Sequence, residues 1–292
     1  MDVYDLHYDE SKEDGYWHGI IFVPVKNIDR LSGYLKEARE DYNFPYPLHF
    51  TKLRKNESIN SPRTLLTESY ISIGIASIQQ QKFQKNPPKA RIGRHLKIIG
   101  DIGSKFVVYR VVCDDRSLDR ENAIEQTLKS ALKGALHFLF DGSRSIAVRR
   151  VVFEGAELQG IDDESILRNL RGQTRSYIKR LPTNFIAQSS DHTKLQRGQD
   201  TDDSYTLQLC DALLGGVRFA VVKNGEHPAR SRVSKPLGEL LKYADQPHVR
   251  MKQSRYYKGF SLAQAEMKNG NWNFSNLHIR EKEVGSRQIN LL

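Results

Sequence analysis

Apolar and polar positions change their period several times along the chain, and the changes mark the predicted elements. Val3 to Tyr8 is a short segment ending in charged residues, and Tyr16-Trp17-His18-Gly19-Ile20-Ile21-Phe22-Val23 follows with aromatic and β-branched enrichment. Together they predict a β-hairpin. From about residue 27 to 41 the spacing becomes helical through Leu31, Tyr34, Leu35 and Ala38 and stops before Pro45-Tyr46-Pro47, which predicts a helix over the hairpin. Residues 54–105 are the least regular. They hold an ambiguous apolar segment at 65–78 and a Gln-rich, Pro-Pro-containing basic run at 79–97, and are read as an insertion.

Regular periods then return. Phe106 to Cys113 is strand-like, and 119–140 predicts a long helix with Ile124, Leu128, Ala131, Ala135 and Leu139 on one stripe. The rest alternates as a strand at 150–154, a helix at about 163–181, a strand from Asn184 to Gln188 and a helix at about 204–222. Such alternation favours an α/β fold with a sheet covered by helices and at least partly parallel. The tail, 223–292, is basic, contains Pro228, Pro236 and Pro247, offers a short helix at 236–244 and ends in an aromatic stretch around Trp272 and Phe274. The expected organisation is one domain over 1–225, interrupted by the insertion, with 226–292 as an extension packed on it.

Composition narrows the function classes. A chain of 292 residues can bury a full core without disulfides. Cys113 and Cys210 lie in apolar runs without metal-ligand or CxxC spacing, so they are expected to be reduced core residues of a cytoplasmic protein. No apolar run approaches the ~20 residues that cross a bilayer, and the acidic start Met-Asp-Val-Tyr-Asp is unlike a signal peptide. A soluble protein without a membrane partner is expected. The formal charge of +10 and the sequence pI near 9.4 favour a polyanionic partner. No GxSxG elbow, P-loop or Cys/His nucleophile pair occurs.

Acidic residues break the apolar patterns at three places: Asp9 and Glu10 at the end of the first strand, Glu154 after Val151-Val152-Phe153, and Asp211 within Leu207-Gln208-Leu209-Cys210-Asp211-Ala212-Leu213-Leu214. Leu207 and Leu214 flank Asp211 at helical spacing, which puts its carboxylate on or beside a buried stripe. Such a group must pair, bind a cation or take up a proton. An ordinary structural bond, to backbone amides or to an arginine such as Arg218, would also meet that need. Several converging carboxylates are what Mg²⁺ or Mn²⁺ requires for phosphodiester hydrolysis.

Two motifs resemble those of the domain-of-unknown-function family 3800, assigned to the ribonuclease H-like superfamily. Tyr8-Asp9-Glu10-Ser11 is similar to its first-strand motif, and Leu207-Gln208-Leu209-Cys210-Asp211 through Gly215-Gly216 is similar to its late helix. The resemblance spans about residues 3–222. It implies a ribonuclease H-like mixed sheet flanked by helices, and a metal-dependent nuclease acting on RNA or DNA. Asp9, Glu154 and Asp211, with Glu10 as an additional ligand, would hold Mg²⁺ or Mn²⁺, and either Glu121 or Glu125 would supply a further carboxylate.

Within Leu48-His49-Phe50-Thr51-Lys52 the resemblance implies Lys52 as a phosphate contact and His49 as a proton-transfer group or ligand, and Ser189 to Lys194 matches a later polar run. Glu154 stands where the family more often has Asp, and His49 where it often has Glu. These departures define the alternative expectation: a non-catalytic module with a degraded site that binds nucleic acid, a second copy of itself or a defence-system partner.

Overall fold

The computed structural model describes residues 2–78, 99–113, 119–134, 146–155, 162, 164–166, 168, 184–222, 226–244 and 259–277. The hairpin is formed by β1 (Asp2–Ser11) and β2 (Tyr16–Pro24), and helix α1 (Ile28–Asp41) follows as its spacing predicts. The ambiguous segment is a helix, α2 (Pro62–Ile78). Next come β3 (Lys105–Cys113), α3 (Arg120–Gly134), β4 (Ile146–Glu154), β5 (Asn184–Gln188) and α4 (Thr201–Val222). Helix α5 (Pro228–Ala244) and strands β6 (Phe260–Lys268) and β7 (Asn271–Asn276) complete the described part. The basic run at 79–97, positions 135–140 of the third predicted helix and most of 163–181 lie outside the described residues; 164–166 and 168 are helical.

The strands form one mixed sheet in the order β5-β4-β1-β2-β3-β6-β7. β1 runs antiparallel to β2 and β2 antiparallel to β3, whereas β4 lies parallel to β1, β5 parallel to β4, and β6 parallel to β3. Each face has its own core. On one, α1, α2, α4 and α5 bury Leu35, Tyr70, Leu213 and Leu237 with Ile21 and Phe106. On the other, α3 buries Ile124 and Leu128 against Leu6, Tyr8, Ile20 and Phe153. Each fully buried side chain of this size contributes roughly 1.5–3 kcal/mol, which fixes the register of β1 because a one-residue slip would exchange its faces.

Helix α4 is the central element of its layer. It is long and apolar enough to cross a membrane, contrary to the expectation from the sequence, but 78% of its most apolar window is buried inside the protein. It lies close over β1 and β2. A Cβ at Gly19 would stand 3.1 Å from Leu214, and the buried, reduced Cys210 donates from Sγ to His7 O and Gly19 O, each at 3.5 Å.

Beneath the start of α4 sits a buried charged network. Asp5 accepts from Arg149 and Arg150 at 2.5–2.9 Å, and Asp203 accepts from Arg150 at 2.8 and 2.9 Å and meets His7 Nε2 at 2.8 Å. Burial pushes the Asp5 carboxyl up, but the two arginines outweigh it and hold it below the usual carboxylate range.

Candidate functional site

Side chains alternate across β1, and the alternation separates the two neighbouring acids. Leu6 and Tyr8 face α3, whereas Asp5 and His7 face α4. Asp9 therefore returns to the α4 face and Glu10 to the α3 face. On β4, Val151 and Phe153 belong to the α3-side core, so Glu154 shares the α4 face with Asp9. The last β1–β4 register pair is Tyr8↔Phe153, and Asp9 and Glu154 are the next residues of these two adjacent parallel strands.

Glu10 is occupied on its own side of the sheet. It accepts from Tyr16 Oη at 2.6 Å and from Arg120 at 2.8–3.2 Å, with Lys12 Nζ 3.5 Å away. Burial raises its carboxyl, but Arg120 and Tyr16 lower it more. Of the two candidate glutamates on α3, Glu125 is ion-paired with Lys129, and Glu121 sits in the first turn, partly buried. The structure does not bring Glu10 together with Asp211.

Asp211 is in the middle of α4 and keeps 21% of its side-chain surface exposed. Its Oδ2 accepts from Phe50 N at 2.9 Å and stands 3.4 Å from His49 Nδ1. Arg218, expected as an alternative partner, instead binds Glu13 and Asp14 in the β1–β2 turn. His49 precedes a single 3-10 turn, Phe50–Lys52, and that turn rests on Gly215, where a Cβ would come within 2.4 Å of the Phe50 ring. The hydrogen bond to Asp211 raises the His49 pKa above its ordinary value; burial opposes this, and the charges of Asp211 and Glu154 support it. His49 thus lies in the field of both carboxylates. Lys52 is exposed at the end of the turn.

Glu154 Oε2 accepts from Ser190 N at 2.7 Å, the link between β4 and the Ser189–Lys194 segment. Asp191 in that segment is engaged locally, accepting from Thr193 N at 3.0 Å and its hydroxyl at 2.5 Å. Gln208, which the sequence reading passed over, is fully buried between the His49 and Ser190 segments. The signal that singled out Asp211, a polar side chain in an apolar helix, applies equally to it.

Asp9, Glu154 and Asp211 offer hard carboxylate oxygens, the donor type that suits Mg²⁺ or Mn²⁺. Among the described residues no group of three His, Cys, Asp or Glu side chains is placed to hold a metal ion. Two of these carboxylates are turned to backbone N–H donors, Glu154 to Ser190 and Asp211 to Phe50. The donor type suits a divalent ion, but these carboxylates are not assembled around one, and ligation would compete with those amide bonds. No family model, curated protein or solved structure matches this chain.

Proposed function

We propose that the chain is a metal-dependent nuclease of ribonuclease H-like architecture, hydrolysing phosphodiester bonds of RNA or DNA. One observation carries the reading: Asp9 and Glu154 are the residues next after the last register pair of two adjacent parallel strands, on the face covered by the helix that bears Asp211. The strand order β5-β4-β1-β2-β3, with only β2 antiparallel to its neighbours, supports the architecture. The net charge of +10 supports a polyanionic substrate.

Asp9, Glu154 and Asp211 would hold the ion, and Glu10, committed to Arg120, is left out of the set. When bound, a divalent ion supplies an activated water and stabilises charge on the phosphate. His49 moves a proton: Asp211 faces its Nδ1, so Nε2 is the atom that serves the substrate, and the raised pKa suits it to protonate a leaving oxygen. Lys52 neutralises a backbone phosphate, a contact that positions the strand without reading bases.

The rival, a binding module without catalysis, is favoured by the absence, among the described residues, of any three His, Cys, Asp or Glu side chains placed to hold a metal ion. Purified wild type, Asp9→Ala and Asp211→Ala are compared on labelled RNA and DNA with Mn²⁺, their folding checked by circular dichroism. Both folded variants are expected to lose cleavage, and full activity in both overturns the assignment. Wild-type protein that binds nucleic acid tightly but shows neither cleavage nor calorimetric Mn²⁺ binding favours the module.

A further inference from the structure

One buried amide joins the segments that carry the site. Gln208 lies on α4 one turn before Asp211, and its side chain is fully buried. Its Oε1 accepts from Leu48 N at 2.9 Å and from Arg39 Nη2 at 2.5 Å. Its Nε2 donates to Ser190 O at 2.5 Å and stands 3.4 Å from His192 Nδ1. A carboxamide has two acceptor positions and two N–H groups, and all four face a partner here.

Of these partners only Leu48 belongs to the apolar core, and three of the four lie in the segments that carry candidate site residues. Leu48 immediately precedes His49, and two residues later Phe50 N binds Asp211. Ser190, whose carbonyl binds Gln208, gives its own N–H to Glu154. Each segment is therefore held twice, once by the Gln208 amide and once by a carboxylate of the site. Arg39, itself buried, extends the grip by donating to Phe44 O at 2.9 Å and Tyr46 O at 2.5 Å.

We propose that Gln208 is a positioning residue whose amide fixes the His49 segment and the Ser190 segment at one spacing across α4, and so sets the separation of His49, Glu154 and Asp211. Its consequence for catalysis rests on the nuclease reading above. A carboxamide suits this place because one segment offers an N–H and the other a C=O. A carboxylate would satisfy only the first, and an apolar side chain of equal length neither.

Two variants separate these effects. Gln208→Glu keeps the acceptor for Leu48 N and Arg39 but confronts Ser190 O with an oxygen, and Gln208→Met keeps the length without hydrogen bonds. Amide hydrogen exchange, read by NMR, is expected in Gln208→Met to accelerate about tenfold at Leu48, whose N–H loses its acceptor, and also at Ser190, whose N–H stays on Glu154 but whose segment loses the Gln208 anchor on its carbonyl. In Gln208→Glu it accelerates at Ser190 only, and core amides such as Val107 stay protected in both.

Mn²⁺-dependent kcat is expected to fall in the order wild type, Gln208→Glu, Gln208→Met, with KM unchanged. Unchanged exchange at Leu48 and Ser190 in Gln208→Met overturns the anchoring, whatever the cleavage assay reads. Faster exchange with unaltered kcat overturns the positioning role. Absent cleavage in wild type overturns the nuclease reading and the catalytic consequence with it, while the exchange pattern still decides the anchoring. If Gln208→Met does not fold, unchanged Ser190 exchange in Gln208→Glu is sufficient to refute the proposal.

Discussion

Replacing Gly215 by Ala tests the seating of the turn beneath His49. A Cβ at this position would lie 2.4 Å from Phe50 Cγ and 2.6 Å from its Cβ and Cδ1. Carbon atoms pack at about 3.5–4.0 Å, so Phe50 would have to retreat by at least about 1 Å. It has little room, because the ring is fully buried, with the Phe219 ring centroid 6.5 Å away and Arg230 5.4 Å from its own centroid. Overpacking of this kind costs about 1–3 kcal/mol. Against it stands the helical preference for Ala over Gly, about 1 kcal/mol.

Gly33 supplies the reference. It lies in α1 with nothing within 4 Å of an added Cβ, so Gly33→Ala receives the helical gain alone. The difference between the two variants isolates the collision, expected at about 1–3 kcal/mol in favour of Gly33→Ala. In thermal unfolding this separates their midpoints by about 2–4 °C per kcal/mol. Gly215→Ala should also expose the Phe50 amide, now bonded to Asp211 at 2.9 Å, to faster hydrogen exchange. Equal midpoints and an unchanged Phe50 amide would refute the reasoning.

Asp5→Ala leaves Arg149 and Arg150 facing an empty carboxylate position, and is expected to cost about 3 kcal/mol by denaturant titration at pH 7. Since the folded pKa of Asp5 is lowered, the wild-type advantage is full above its ordinary value of 3.8 and lost as pH falls through the folded value; an advantage independent of pH would contradict this. His18 is fully buried on Thr127, and burial pushes its pKa down to about 3. The unfolded imidazole takes up a proton near 6.5, so wild-type stability should decline from there toward pH 3. His18→Asn should lose that part of the slope, and a parallel pH profile in both proteins would count against it.

The elements most legible in the sequence were those with one buried face. Helices α1 and α3 showed a clear helical period, whereas the hairpin was read from its aromatic and β-branched enrichment, and α4, buried almost all round, from its place in the strand–helix alternation. Helix α2 gave no such signal. From Thr64 to Ile78 nearly every residue is buried, and its hydroxyls bond to their own helix, Thr67 to Arg63 O and Ser72 to Glu68 O, each at 2.8 Å. Helix α5 runs through Pro236, which had been read as a helix start. Strands β6 and β7 read only as an aromatic tail because the partner of β6 is the distant β3.

The candidate site was legible to a similar degree. Asp9, Glu154 and Asp211 stand out in the sequence because acids interrupt apolar runs, whereas the opposite orientation of Glu10 follows from strand alternation only once the buried face of β1 is known. The backbone partners of Asp211 and Glu154 depend on loop conformations that no period encodes.

The parallel pairing of β6 with β3 also bears on the order in which the chain is made. Strand β3 emerges from the ribosome long before β6, with Phe106, Val107, Val108, Val111 and Val112 along its length and one ladder of N–H and C=O groups open. Until β6 docks, that strand is a bare template for pairing with another nascent chain. A chain stopped after α5 would keep every candidate site residue and still carry this sticky edge, so its expected fate is aggregation rather than a smaller working protein.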